Sequence, residues 1–210
     1  MTEALKTLIG EHPKTFRAGR YGVGPNTAAI LVGLGYTIDV SVRSRFDYRR
    51  DHGPRFTRFP PIPWWVSPGA LLEIPLSGTF AGRAFAGPDR PRFNALLKKL
   101  GLLARLSLTP EGVSVASAKA AVLRLLDEDV RLFSLFFHSP SLEPGHTPYV
   151  RTPAMLERFW RWWAEMFEFF SALGISPIGI EEAVAACVKA EGKGEGKLPG
   201  RPATSAYSLE

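Results

Sequence analysis

Short apolar runs alternate with amphipathic segments along most of the chain. The runs are rich in β-branched and aromatic residues and are bounded by glycine, proline or polar residues, which is typical of strands covered on both faces. Segments with apolar residues three or four positions apart predict the helices between them. The predicted strands are residues 14–19, 36–42, 71–77 and 130–137, and the predicted helices are residues 2–10, 25–34, 92–101 and 114–129, with two more beginning at Pro153 and Glu181.

This alternation predicts an α/β protein, since strands joined through helices form right-handed crossovers and a parallel sheet. Periodicity alone leaves an open sheet and a barrel as alternatives. Residues 1–188 are long enough for one well-buried domain. Residues 189–210 have the glycine-rich, charged composition of a linker, so we expect a disordered polar tail.

The longest irregular segment, residues 43–69, is called the aromatic loop here. Its prolines argue against a central strand or a helix interior. A loop of this length in a compact domain is usually functional or disordered, and its many rings disfavour disorder. Trp64 and Trp65 could stack on sugar rings, or they could pack beneath the loop as a small core.

Composition excludes several function classes. Hydrophobic residues make up 45% and charged residues 22% of the chain, as in ordinary globular proteins. The net charge of +6 is scattered rather than clustered, so we expect no nucleic-acid partner. No apolar run reaches the roughly 18 residues of a membrane span, so we expect a soluble, cytoplasmic protein. The single cysteine, Cys187, excludes an internal disulfide and is expected to be a buried structural thiol.

His138 is the first residue after the predicted strand 130–137, and Pro140 and Pro144 stiffen the segment that follows. Reactive groups of α/β proteins gather at the carboxyl ends of strands, which makes this imidazole a candidate. The alternative is a histidine bound by a backbone carbonyl. Glu143 and His146 follow without the spacing of a zinc site, so no metal site is predicted here.

A second candidate site is the segment FRAGRYGVG, at the end of the first predicted strand. Arg17 could reach a carboxylate there, or it could form a structural ion pair. The glycines would let backbone N–H groups approach an oxyanion. Asp39 lies inside a strand, where an unpaired charge is costly, so it needs a partner such as Arg17 or Arg43.

Residues 15–48, TFRAGRYGVGPNTAAILVGLGYTIDVSVRSRFDY, and residues 132–150, LFSLFFHSPSLEPGHTPYV, together resemble the polysaccharide deacetylase family. These are metal-dependent amide hydrolases with the NodB-homology domain, and the similarity is greatest to the WalW-type branch. The resemblance covers most of residues 1–188. It implies an incomplete (β/α) barrel of the glycoside hydrolase and deacetylase type, with parallel strands alternating with helices.

The resemblance also implies roles for individual residues. His138 corresponds to the general acid that protonates the leaving amine, and Arg17 to the arginine that holds the catalytic base. Asp39 or Asp47 matches the carboxylate that tunes such a histidine, and the backbone at Tyr21 matches the oxyanion donor. The expected substrate is a carbohydrate or a small N-acetylated compound. The candidate residues for contacting it are Tyr21, Trp64, Trp65, His146 and Tyr149.

The departures from the family pattern concern the metal. The family's Thr-Phe-Asp-Asp-Gly and His-x-x-x-His motifs do not occur in this sequence. We therefore expect no cofactor in this chain, a zinc-type divalent metal only in a complete family member, and little hydrolysis by the chain alone. A complementing N-terminal segment or self-association would complete such a domain. The alternative function is a non-catalytic carbohydrate-binding module or pseudoenzyme that uses the aromatic loop.

Overall fold

The structure is a computed structural model that describes residues 1–81 and 104–192. The chain packs as two compact units. The first comprises Met1–Leu76 and the chain from Ile178 onward, and the second comprises Ser77–Pro177. The sequence predicts a single domain over residues 1–188, and within that span the structure distinguishes these two units.

The first unit is built on a four-stranded sheet with the order β1-β2-β4-β3. Strands β1, β2 and β4 are parallel, and β3 pairs with β4 in the antiparallel sense at the sheet edge. The strands are β1 (Thr15–Phe16), β2 (Ile38–Asp39), β3 (Trp64–Ser67) and β4 (Leu71–Glu73). The helices are α1 (Thr2–Ile9) and α2 (Thr27–Gly33), with short 3-10 helices at Gly19–Tyr21 and Arg49–Asp51. The helix Ile180–Gly192 also belongs to this unit and is numbered α5.

The core of the first unit lies between this sheet and the aromatic loop. Trp64, Phe56, Leu71 and Val42 are at most 1% exposed and lie in one apolar cluster. The helix α2 contributes Leu31 to the same cluster. The crossover from β1 to β2 through α2 therefore packs on this core mainly through Leu31, while Ile30 and Val32 of the same helix are exposed.

In its described residues, the second unit contains a two-stranded antiparallel sheet and two helices. The strands are β5 (Gly78–Ala81) and β6 (Ala104–Ser107), and the helices are α3 (Val115–Asp127) and α4 (Pro153–Ala172). A 3-10 helix spans Ser139–Leu142. Both long helices begin at side-chain caps, since Ser114 Oγ accepts from Ser117 N and Thr152 Oγ1 accepts from Met155 N. Buried residues of α3 and α4 form the core of this unit: Ala118, Ala121, Val122, Trp162, Met166 and Phe170.

The prediction of a mixed α/β protein is confirmed, while its uniform parallel strand pattern is corrected. Within the described residues there is no closed barrel, and β3, β5 and β6 pair in the antiparallel sense. The strand in the aromatic loop was not predicted, because the loop's prolines argued against a central strand. β3 lies at a sheet edge and begins just after Pro63, a position where proline costs no ladder hydrogen bond.

Residues 130–137 form no strand ladder, contrary to prediction. Individual hydrogen bonds hold the segment, among them Ser77 N to Ser134 O and Phe136 N to Leu108 O, both 3.2 Å long, and Ser134 N to Ser77 Oγ at 2.8 Å. At the other end of the chain, α5 reaches Gly192, so the predicted tail begins as a helix. The rest of that tail and the predicted helix 92–101 lie outside the described residues. None of the described helices is both long and apolar enough to cross a bilayer.

Candidate functional site

The imidazole of His138 is held by a buried carboxylate in the second unit. His138 Nδ1 lies 2.6 Å from Glu111 Oε2, and the backbone N–H of His138 donates to Glu111 Oε1 at 2.9 Å. The Glu111 side chain is 3% exposed, whereas that of His138 is 53% exposed. The carboxylate therefore fixes one ring nitrogen while the half-exposed ring remains accessible, an arrangement typical of a proton-transfer histidine.

Glu111 is in turn held by hydroxyl groups. Ser141 Oγ donates to Glu111 Oε1 at 2.6 Å and lies 3.0 Å from Thr147 Oγ1. Ser141 is fully buried, so this network is shielded from water. The backbone N–H of Glu111 donates to Thr109 Oγ1 at 3.2 Å, which anchors the residue at its own turn. A carboxylate that accepts several hydrogen bonds in a buried site is rigid and stays where it can orient the ring.

The local sequence explains why these groups meet. The segment TPEG follows β6, and Gly112 has a φ of +80°, a conformation that glycine adopts without strain. This turn ends the extended chain and precedes the Ser114 cap of α3. On the other side, His138 is the N-cap residue of the 3-10 helix whose first turn contains Pro140. The helix brings Ser141 back toward the carboxylate, since Ser141 N donates to His138 O at 2.8 Å.

Of the two predicted site residues that follow His138 in the sequence, Tyr149 lies beside it and His146 has a separate partner. The ring of Tyr149 stacks on the imidazole, with a centroid separation of 6.4 Å and an interplanar angle of 13°. Tyr149 is 44% exposed, so it can still contact a bound molecule. His146 instead pairs with Glu143 on the surface, at 3.5 Å between Nε2 and Oε2. The structure thus places Tyr149 beside His138 and gives His146 an exposed partner of its own.

A cluster of arginines and aromatic rings lies beyond the carboxyl ends of β1 and β2, in the first unit. The guanidinium groups of Arg17 and Arg43 both lie over the Tyr21 ring, at 5.5 and 5.6 Å. Arg43 Nη1 also donates to the Tyr48 hydroxyl at 2.7 Å. The Cζ atom of the same guanidinium lies 3.8 Å from the centroid of the Phe46 ring. Burial raises the pKa of Tyr48 to about 12, against the opposing influence of Arg43. Cation–π contacts of this kind hold both guanidinium groups in place.

The Tyr21 backbone is already engaged in its own turn. Its N–H donates to Ala18 O at 3.2 Å, within the Gly19–Tyr21 helix. Arg20 and Tyr21 have φ values of 53° and 59°, which are uncommon for residues other than glycine. The Tyr21 N–H is therefore already used within its own turn, and the oxyanion role expected for this backbone stays a prediction.

Asp39 is fully buried and anchors the loops that follow the carboxyl ends of β1 and β2. Its carboxylate accepts hydrogen bonds from the backbone N–H of Ser41, at 3.0 Å, and from the Ser41 hydroxyl. Ser41 Oγ in turn accepts from Ala18 N at 2.8 Å. The neighbouring Glu73, also fully buried, accepts from Val42 N at 2.9 Å. These contacts make Asp39 a positioning group for the loops that carry Arg17 and Arg43.

The remaining predicted residues belong to the aromatic loop and its surroundings. Asp47 forms a two-pronged ion pair with Arg49, with contacts of 3.0 and 2.8 Å. Trp64 is 0% exposed and packs against Phe59, so it has no face open to a sugar. Its expected sugar-binding role is therefore corrected to a core role, while Trp65 is half-buried. Trp65 and the exposed Tyr149 remain candidates for sugar contact, so the carbohydrate-binding alternative stays a prediction.

Arg17 and Asp39 lie in the first unit, and His138 lies in the second. The joint catalytic roles that the family resemblance implies for Arg17, Asp39 and His138 therefore stay a prediction. Among the described residues, no three histidine, cysteine, aspartate or glutamate side chains are grouped so that they could hold a metal ion.

Sequence reasoning missed Glu111 as the partner of His138. The segment TPEG was interpreted only as a turn, although Glu111 follows an apolar run just as His138 does. A carboxylate at the end of such a run was the available signal. Asp39 and Asp47 were considered instead because the family resemblance pointed upstream of His138, toward the first part of the chain.

Comparison with known proteins adds no identity. No protein-family model, no curated protein and no solved structure matches the chain.

Proposed function

We propose that the chain is part of a hydrolase that cleaves N-acyl amide bonds, of the polysaccharide deacetylase type, with His138 as its proton-transfer residue. The observation that supports this most is the 2.6 Å contact between His138 Nδ1 and the buried Glu111 carboxylate. The residues quoted for the family resemblance include His138 and Tyr149, and these two rings stack.

Amide hydrolysis requires a proton on the leaving nitrogen, since an amide anion is a very poor leaving group. With its Nδ1–H donating to Glu111, neutral His138 presents an Nε2 lone pair that can take a proton from water as the water oxygen bonds to the acyl carbon. The resulting imidazolium is stabilised by the Glu111 carboxylate. Nε2 then releases the proton to the nitrogen as the C–N bond breaks, which leaves a carboxylic acid and an amine. Proton transfer by a positioned side chain typically contributes about 10²–10⁴-fold to a rate. Ser141 and Thr147 act as positioning residues because they hold the carboxylate rather than the substrate.

The divalent metal of the family does not fit the described residues. Glu111, the carboxylate nearest to His138, is buried and bonded to His138 and Ser141, and no group of three suitable ligands is present in the described part of the chain. We derive no step through a metal ion. The proposed consequence is slow hydrolysis by this chain alone, because the sequence lacks the Asp-Asp and His-x-x-x-His motifs.

The finer fold assignment, an incomplete deacetylase-type barrel, belongs to the same proposal. Its support is the parallel arrangement of β1, β2 and β4, with α2 as the crossover from β1 to β2. Arg17 follows the carboxyl end of β1, as expected for the family arginine. Self-association is proposed with it: Trp160 and Phe167 on α4 are 53% and 59% exposed. Size-exclusion chromatography of the chain tests that part, and a monomer at all concentrations contradicts it.

The deciding experiment measures acetate release from N-acetylated oligosaccharides and small N-acetyl compounds. The chain is assayed alone and together with a second polypeptide that carries the two missing motifs, with zinc added. We expect slow release by the chain alone and faster release in the mixture. His138→Gln should lower the rate about 100-fold or more, and His52→Gln, a change of the same kind at an exposed histidine of the first unit, should leave it unchanged. Undetectable release in both arms, or equal rates for His138→Gln and the unmodified chain, contradicts the proposal.

A further inference from the structure

A groove in the second unit lies directly beside the His138–Glu111 pair. It has a volume of about 360 Å³ and is formed by the segment that follows β6 and by the first half of α4. Pro110 and Val113, which flank Glu111, line one wall, and Tyr149 lines the end. Because Tyr149 also stacks on the His138 imidazole, a molecule in this groove would contact the ring that lies against the proposed proton-transfer residue.

The floor of the groove is apolar and rigid. Phe159 and Trp162 contribute to the lining, and both are 4% exposed. The indole N–H of Trp162 donates to Val113 O at 3.0 Å, which fixes the ring between α4 and the opposite wall. A floor of this kind suits an apolar body or the apolar face of a sugar ring.

The rim of the groove is positively charged. Arg158 and Arg161 are exposed and line it, with no hydrogen bond or ion pair to another residue in the described part of the chain. Glu165 is the only acidic lining residue, so the two arginines leave the rim with a net positive charge. Glu165 lies four residues after Arg161 on the same face of α4 and seven residues, or about 10 Å along the helix axis, after Arg158.

We infer that this groove binds small N-acylated carboxylates, with the carboxylate on Arg158 and Arg161 and the apolar body on Phe159 and Trp162. Guanidinium groups bind carboxylates through paired, charge-assisted hydrogen bonds. The volume is at the low end of the range for small-molecule sites, about 300–1,000 Å³, which favours one ring or one residue over a polymer. The inference deepens the proposed function and rests on it only in naming the bound compound as a substrate.

Two kinds of compound share this chemistry, an N-acetyl amino acid and an N-acetylated sugar acid. Each has a neutral counterpart that differs only in the charged group. The probes are N-acetylphenylalanine with its primary amide, and 2-acetamido-2-deoxyglucuronic acid with N-acetylglucosamine. Isothermal titration calorimetry on the full chain at low salt should give at least one acid that binds about tenfold or more tightly than its neutral counterpart. Whichever acid binds identifies the source of the ligand.

The test variant is a double variant that carries both Arg158→Gln and Arg161→Gln. The control is Arg151→Gln, which removes an exposed arginine outside the groove. The double variant should lose the preference for the acid, whereas the control should retain it. His138→Gln should also retain it, so loss of hydrolysis and loss of binding are separable. The inference is overturned by equal binding of acid and neutral probes, by no binding of any probe, or by an acid preference that survives the double change.

Discussion

Replacing Glu111 with alanine removes a carboxylate that three donors share: His138 N, His138 Nδ1 and Ser141 Oγ. Two of these donors have alternatives. The imidazole is half-exposed and can bond to water, and Ser141 Oγ can turn fully to Thr147 Oγ1, 3.0 Å away. The backbone N–H of His138 has no comparable replacement. A hydrogen bond to a charged group is worth about 1.5–3 kcal/mol, and an unsatisfied buried donor costs a further 1–3 kcal/mol or so.

The expected loss in the free energy of unfolding is therefore about 3 kcal/mol for Glu111→Ala. For a chain of this length, a loss of about 3 kcal/mol lowers Tm by roughly 6–12 °C. Thermal and urea unfolding followed by circular dichroism measure this loss. Amide hydrogen exchange at His138 supplies a local measurement, since that N–H should exchange faster in the variant.

Glu143→Ala is the matched control, because Glu143 is 77% exposed and has only a 3.5 Å surface contact with His146. Its effect should stay within about 0.5 kcal/mol. If Glu111→Ala is no more destabilising than Glu143→Ala, the buried network does not carry the stability assigned to it.

The isosteric change Glu111→Gln separates stability from ring orientation. The amide oxygen can still accept from His138 N and Ser141 Oγ, so the loss should be only about 1 kcal/mol. The amide NH₂ group would then face His138 Nδ1, which favours the tautomer with the proton on Nε2. Nitrogen-15 chemical shifts of the neutral imidazole should report Nδ1–H in the unmodified chain and Nε2–H in the variant. The same tautomer in both proteins contradicts the assigned orientation.

Three further predictions concern other parts of the molecule. Because burial raises the pKa of Tyr48 from 10.0 to about 12, the folded chain holds that proton more tightly than the unfolded chain. The stability that this proton contributes is complete below about pH 10 and is lost as the pH rises toward 12. Between these pH values, the free energy of unfolding measured with urea should therefore fall less steeply for Tyr48→Phe than for the unmodified chain. The same pH dependence in both proteins contradicts this. Burial also raises the pKa of the Cys187 thiol. The thiol should therefore react slowly with a thiol reagent at pH 8 in the native chain and rapidly in denaturant. Equal reaction rates in the two conditions contradict its burial. Thr152→Ala, which removes the cap on Met155 N, should cost about 1 kcal/mol and lower Tm by roughly 2–4 °C; an unchanged Tm contradicts the cap.

Local pattern was sufficient for the long helices of the second unit. The predicted helix 114–129 is observed as Val115–Asp127, and the helix predicted to begin at Pro153 does so with Thr152 as its cap. Helix periodicity and capping depend on residues three or four positions apart, so the sequence contains the necessary information. The burial of Cys187 was also predicted correctly, from its place in a helix of small residues.

The sheet and the candidate site required contacts between distant residues. The sequence placed residues 130–137 in a strand, but whether an apolar run joins a ladder depends on a partner elsewhere in the chain. Trp64 was considered as a surface residue for the same reason, since its burial depends on β4 and on Phe59.

His138 was recognised from its position after an apolar run, and the sequence by itself determined that candidate. Its partner Glu111 lies 27 residues earlier, and only the folding of the Thr109–Gly112 turn against the Ser139–Leu142 helix brings the carboxylate to the ring. Side-chain chemistry and helix periodicity are local properties of the sequence, whereas the distance between two side chains far apart in the chain is decided by tertiary packing.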